Sequence, residues 1–262
     1  MPNSGEASPN PGRRHLVLVG SPASHVQMLH SLAQRRSANL NITLVTPGLH
    51  YWHAPRLPDW LYGDARERPI KLALEPLIQR SGAKHVTSAV TALHPGAHQL
   101  SLDNGTVLSY DALSVGLGSW HDPQALEAVL PGAATHGLAL HPLARFFQLW
   151  PQVLELARQR PLHLAVVGGG LGGTELALAM QQALALDPLA QPCRVSLVTG
   201  GRPALARFAP AAQAQALAML RSRHITVLQE RCTALAEGEL HLANGARLRC
   251  DVPVLALQPA PP

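Results

Sequence analysis

The strongest constraint on this chain is that it carries one pattern twice. Residues 15–29, "HLVLVGSPASHVQML", pass from an apolar run through a turn into an amphipathic run. Residues 163–180, "HLAVVGGGLGGTELALAM", do the same, with Gly168 in the place of Gly20. Further on, "NITLVTPG" (41–48) returns as "RVSLVTGG" (194–201), and "LIQRSGAKHV" (77–86) resembles "MLRSRHITVL" (219–228). Finally "LDNGTVLSYDALSVGLG" (102–118) aligns without a gap on "LANGARLRCDVPVLALQ" (242–258). Each copy reads as strand, glycine turn, helix, strand, then a hairpin at Asn-Gly and a last buried strand. Strands that alternate with helices make a parallel α/β sheet.

The expected fold class is therefore α/β: two tandem Rossmann-like domains with parallel sheets and small antiparallel hairpins. Residues 1–13, small, polar and proline-rich, read as a disordered tail, and so do 259–262. The first domain is expected over 14–140, with 252–258 returning to it as a strand. Residues 162–251 form the second domain. Between them, 141–161 reads as a helical connector, with Leu143, Phe147, Trp150 and Leu154 at helical spacing and Pro151 as a kink or a second start.

The glycines say what such a turn is for. In the second copy Gly168, Gly170 and Gly173 follow the apolar strand and open a helix, the context a dinucleotide turn requires. Gly168 permits the tight turn, Gly170 lets a pyrophosphate approach the backbone, and Gly173 lets the helix pack close to the sheet. The phosphates then lie at a helix N-terminus, where free N–H groups and the helix dipole favour negative charge. Glu175 follows, placed for the dipole or for the nicotinamide end of a cofactor. An acid that would hold the ribose hydroxyls is absent after the second strand, where Thr199, Gly200 and Gly201 stand and Arg202 follows. Arg202 reads either as a partner for the 2′-phosphate of NADPH or as a solvated loop residue.

In the first copy only Gly20 survives. Pro22 replaces the second glycine and removes an N–H. His25 replaces the third, as a bulky group at the helix contact or as an outward-facing contact to phosphate. Thr46 and Pro47 occupy the place of the ribose acid.

Composition excludes other classes. The net charge is +5, but the arginines are scattered and no basic run exceeds Arg13-Arg14, which argues against nucleic-acid binding. The three cysteines, Cys193, Cys232 and Cys250, form no C-x-x-C pair, and Cys193 and Cys250, at strand ends, are expected to be buried and inert. His50 and His53 read as loop surface rather than metal ligands, and no metal is expected. The N-terminus lacks the apolar run of a secretory signal, and no run is long enough to span a bilayer, which points to a cytoplasmic protein.

On "HVQML", "YDALSVGLGS" and the glycine turn through Glu175, the chain resembles the pyridine nucleotide-disulfide oxidoreductases, two-dinucleotide flavoproteins. It is most similar to their NADH dehydrogenase-like branch and to the oxidoreductase module found ahead of selenide, water dikinase. The resemblance spans about residues 14–258. It implies that the first unit binds FAD and the second NAD(P)H. Hydride would pass from nicotinamide to flavin and on to an acceptor, a quinone among the candidates, in a chain that can form a homodimer. It places Gly20, Ser21 and Gly118 beside FAD, with the aromatic stretch 50–63 either near the flavin or a loop packed on the sheet. Gly168, Gly170, Gly173 and Glu175 would hold NAD(P)H.

Three departures qualify it. The FAD turn is degenerate, Gln258 replaces the second strand-end glycine, and the family's further segment and C-terminal domain do not follow within these 262 residues. The alternatives are a non-catalytic nucleotide-binding or scaffold protein, or a truncated fragment of such an enzyme.

Overall fold

The computed structural model describes residues 12–20, 22–35, 38–63, 70–116 and 123–257, except for the side chains of residues 22 and 23. The chain divides into two compact units, one from Met1–His53 with Lys71–Gly118, the other from Ala54–Ile70 with Ser119–Pro262.

The first unit opens with β1 (Arg14–Gly20), α1 (Pro22–Gln34), β2 (Leu40–Val45) and β3 (His50–Trp52). The chain then gives α2 (Leu57–Leu61) to the second unit and returns with β4 (Lys71–Ala73), which pairs antiparallel with β3. α3 (Glu75–Ser81) and β5 (Lys84–Val86) precede a meander of β6 (Val90–His94), β7 (Gln99–Leu102) and β8 (Val107–Ser109). β9 (Ala112–Gly116) completes a parallel sheet of order β5-β2-β1-β9. Alternation along the strands sends Leu18 and Leu44 to one face, against Leu29 of α1 and Ile78 of α3. Val17, Val19 and Val45 go to the other face, against Leu100 and Leu102 of the meander. Each face of the sheet is thus covered, as a parallel sheet requires.

The second unit repeats this plan. After α4 (Pro123–Val129), α5 (Ala133–His136), β10 (Leu138–Ala139) and α6 (Leu143–Gln159) come β11 (His163–Val167), α7 (Leu171–Leu186), β12 (Arg194–Val198), α8 (Pro210–Ser222) and β13 (Thr226–Leu228). A second meander, β14 (Cys232–Ala236), β15 (Glu239–Leu242) and β16 (Arg247–Arg249), leads into β17 (Val252–Leu255). The sheet order is β10-β17-β11-β12-β13, all parallel. Both Asn-Gly sites are hairpin turns: Gly105 and Gly245 have φ of 82° and 83°, and the Asn104 and Asn244 side chains accept from the N–H of Thr106 and Ala246.

Two expectations need correcting here. Residues 252–255 do not return to the first unit. They pair with β11 and β10 in the second, because β17 follows its meander as β9 follows its own. No second helix starts at Pro151, since α6 runs through it, and the buried face keeps Leu143 and Trp150 but takes Phe146, Val153 and Ala157 in place of Phe147 and Leu154. Phe147 and Leu154 stand at the edge of that face, half-buried. Phe147 meets Trp60 of α2 edge-to-face, with centroids 4.5 Å apart.

The repeat extends to its polar contacts. The backbone N–H of His15 donates to Asp111 at 2.6 Å, and His15 Nε2 lies 2.8 Å from Thr43 Oγ1. In the second unit His163 N–H donates to Asp251 at 2.8 Å, and His163 Nε2 lies 2.8 Å from Ser196 Oγ. Each histidine ties its first strand to the next, and each aspartate ties it to the last. Burial pushes the Asp251 carboxyl up, but the His163 N–H and Arg160, 2.7 Å away, outweigh it and hold it below the usual range. Among the described residues, no helix is long and apolar enough to cross a membrane.

Candidate functional site

The glycine turn of the second unit sits between the end of β11 and the start of α7, outside the carboxyl ends of parallel strands, where α/β sheets place ligands. Its three glycines do separate jobs. Gly168 has φ 137°, and a Cβ there would stand 2.3 Å from the carbonyl oxygen of Ala256. Gly173 is the point of closest helix contact: a Cβ would stand 1.9 Å from the carbonyl oxygen of Gly168. Gly170 is the reverse case. It caps α7 in an extended conformation, φ −76° and ψ −178°, and a Cβ there meets nothing within 4 Å. Protein packing therefore explains the first and third glycines and not the second. Gly170 is open on that side and precedes a helix of 16 residues, whose first N–H groups lack intrahelical acceptors.

Sequence reasoning missed the support beneath this turn. Gly169 packs on Thr199, where a Cβ would come within 2.7 Å of the Thr199 Cβ. The Gly169 carbonyl accepts from the N–H of Leu205 at 2.8 Å. Thr199 is buried, and its hydroxyl donates to the carbonyl of Arg202. Gly200 and Gly201 follow in the left-handed region, φ 77° and 79°, and Gly200 N–H donates to Glu230 at 2.9 Å. Thr199 is thus the keystone of the loop, whereas the sequence showed it only as the absence of an acid. The loop holds the Arg202 backbone and leaves its side chain exposed. Glu175 is exposed and is the fifth residue of α7, whose first turn carries no acid, so stabilisation by the helix dipole within that turn does not describe it.

The first unit offers a related but altered turn. Gly20 keeps a left-handed φ of 96°. Of the two placements the sequence leaves open for His25, the structure shows the one inside, at the helix contact. His25 is 1% exposed, with Nε2 3.1 Å from Ser114 Oγ, and a Cβ on the neighbouring strand residue Gly116 would stand 3.2 Å from its Cε1. Pro22 has no backbone N–H, so this turn has one donor fewer than its counterpart in the second unit. Ser21, Gly118 and Gln258 lie outside the described residues. The stretch 50–63 is divided, with β3 in the first unit and α2 in the second. Tyr51 Oη lies 2.8 Å from His53 Nδ1, and Lys71 lies over the Trp52 ring.

Other candidate groups stay apart from these turns. Cys250 is buried among Leu235, Leu240 and Leu255, and burial pushes its thiol up to about 12. Cys193, expected to be buried, is half-exposed just before β12. Among the described residues, no group of three or more His, Cys, Asp or Glu side chains is placed to hold a metal ion.

Comparison with known proteins agrees with this geometry. The family described as pyridine nucleotide-disulphide oxidoreductase matches residues 14–257. A probable mitochondrial NADH-ubiquinone oxidoreductase of Schizosaccharomyces pombe is 25% identical over 201 residues, 67% of this chain and 35% of the relative. The demethylphylloquinone reductase NdbB of Synechocystis is 28% identical over 192 residues, 71% of this chain and 45% of the relative. The chain therefore spans less than half the length of the curated relatives it matches. In fold it is similar to NDH2 from Plasmodium falciparum, solved in complex with NADH, at TM-score 0.81 and 14% identity, covering 95% of this chain and 56% of that one.

Proposed function

Because the chain belongs to the pyridine nucleotide-disulphide oxidoreductase family, we propose that it works as an FAD-dependent NAD(P)H dehydrogenase-like oxidoreductase, with the nicotinamide dinucleotide held by the second unit. One observation carries the reading: of the three motif glycines Gly168, Gly170 and Gly173, Gly170 is the one whose Cβ would meet nothing within 4 Å, at the start of α7. In this reading Gly168 and Gly173 shape the cradle, Gly170 admits the pyrophosphate, Glu175 faces the nicotinamide end and Arg202 the adenosine end. A bound flavin would supply the two-electron chemistry, with the protein contributing binding and orientation. A quinone is the acceptor class that the named activities of the two curated relatives favour.

A second reading, a nucleotide-binding protein without turnover, is favoured by the donor lost at Pro22. One experiment separates the two. The purified protein is reconstituted with FAD, its visible spectrum recorded, and NADH or NADPH added without oxygen. Bleaching of the flavin band supports the oxidoreductase. Dinucleotide binding without bleaching supports the second reading, and no binding of either nucleotide refutes both.

A further inference from the structure

The two units solve the same packing problem from opposite sides. In the second, the helix supplies the glycine: Gly173 lies against the Gly168 carbonyl, and a Cβ on it would be 3.3 Å from the Cβ of Ala256, just beyond β17. In the first, the helix position is His25, and the strand residue matching Ala256 is Gly116. A Cβ at Gly116 would stand 2.5 Å from Ser24 Oγ, 2.6 Å from Ser24 Cβ and 3.2 Å from His25 Cε1. A single carbon on the strand would therefore collide with the first turns of α1. The His25 ring is seated within the unit beside Ser114. Loss of helix glycines alone does not account for this, since it gives the strand no reason to hold a glycine. The steric bulk and its complementary gap occur together, on exchanged partners.

We propose that Ser24–His25 and Gly116 are an exchanged packing pair that docks α1 on β9, as Gly173 docks α7 on the strand before Ala256. His25 is thereby a positioning residue for the dinucleotide turn at Gly20. The first unit's turn is rebuilt rather than decayed. The ligand in this statement, a dinucleotide pyrophosphate, rests on the proposed function; the packing pair does not.

The test compares four chains: wild type, Gly116→Ala, Ser24→Gly/His25→Gly, and all three changes together, which copies the second unit's pattern. The readouts are the thermal midpoint of the ligand-free protein and FAD affinity by quenching of flavin fluorescence. Gly116→Ala alone should lower the midpoint by roughly 3–8 °C, as overpacking by one methyl does in a chain of this length. It should also weaken FAD binding by about tenfold. In the double-glycine background the same substitution should leave the midpoint unchanged or raised, and should restore affinity. If Gly116→Ala alone does not fold, recovery of a folded triple variant is the same result. Equal midpoint losses in both backgrounds overturn the exchange. Coupled midpoints with identical FAD affinity in all four chains overturn the positioning role. A wild-type chain that quenches no FAD at about 1 mM refutes the flavin part of the proposed function and the positioning role with it. The midpoint cycle then judges the exchange alone.

Discussion

Gly170→Val separates ligand binding from folding more cleanly than any other substitution in the second unit. The position has an extended backbone, so no left-handed strain attends a side chain. Its Cβ meets nothing within 4 Å, so no neighbour is displaced. The folded protein should therefore tolerate valine with a thermal midpoint close to wild type. The pyrophosphate should not. A side chain there holds the anion away from the N–H groups at the start of α7, and hydrogen bonds to charged groups contribute about 1.5–3 kcal/mol each. Losing two costs about 3 kcal/mol or more, which is over a hundredfold in affinity. Calorimetric titration of NADH and NADPH into both proteins measures this. Gly173→Ala is the control of opposite kind. Its Cβ would lie 1.9 Å from the Gly168 carbonyl oxygen, so the midpoint itself should fall. Equal dinucleotide affinity in wild type and Gly170→Val would refute the assignment and leave the motif a structural turn.

Four further outcomes are expected. Arg202→Ala should abolish an approximately tenfold preference for NADPH over NADH, since a charge-assisted bond to the 2′-phosphate is worth about that much; wild-type protein that binds both equally would leave Arg202 a surface charge. Burial first, then the charge of Arg194, depress the His163 pKa below 6.5. A depressed folded value means that the stability from its neutral ring is complete above about pH 6.5 and lost as pH falls through the folded value. The midpoint should therefore decline on acidification from roughly pH 7 to 5, and His163→Gln should flatten that decline; an unchanged slope argues that His163 does not titrate there. Cys250, 2% exposed and with its thiol pushed up to about 12, should resist alkylation until the chain unfolds, while half-exposed Cys193 reacts in the native protein; mass mapping of Cys250 adducts under native conditions would contradict the buried placement. Dialysed protein should retain FAD well below one equivalent because Pro22 offers no donor, and stoichiometric, dialysis-resistant flavin would show that other groups hold the phosphates.

The sequence revealed most where spacing carries physical meaning. Alternating apolar residues in "LVLV" and "LAVV" are buried on two faces, and glycines at fixed intervals mark the turn. It revealed least where partners are distant in the chain. Residues 252–255 read correctly as a buried strand, but an apolar run does not name its neighbours, and the pairing with β11 is a tertiary fact. On α6, Phe147 has helical spacing as good as that of Phe146. Only the ring of Trp60 beside it shows why it stands at the edge of the buried face. Gly169 is outside the motif spacing, and the reason for it, the Thr199 side chain against it, is 30 residues away in the chain. His25 left two orientations open, and the deciding residue, Gly116, is remote in sequence.

The distribution of likeness between the units bears on whether the first is a relic. At the start of each first strand the contacts are matched: His15 and His163 each meet an aspartate and a hydroxyl in the same places. At the carboxyl ends, where an α/β sheet presents its ligand site, the units diverge. Gly168, Gly170 and Gly173 correspond in sequence to Gly20, Pro22 and His25, and Ala256 corresponds to Gly116. Even there the change is coordinated, because the bulk of Ser24 and His25 is met by a missing Cβ across the contact. Drift in a unit with no task would leave such a contact overpacked or open, at a cost of roughly 1–3 kcal/mol for each misfit methyl. A closely fitted pair at the ligand end instead favours a first unit whose helix still has a position to keep.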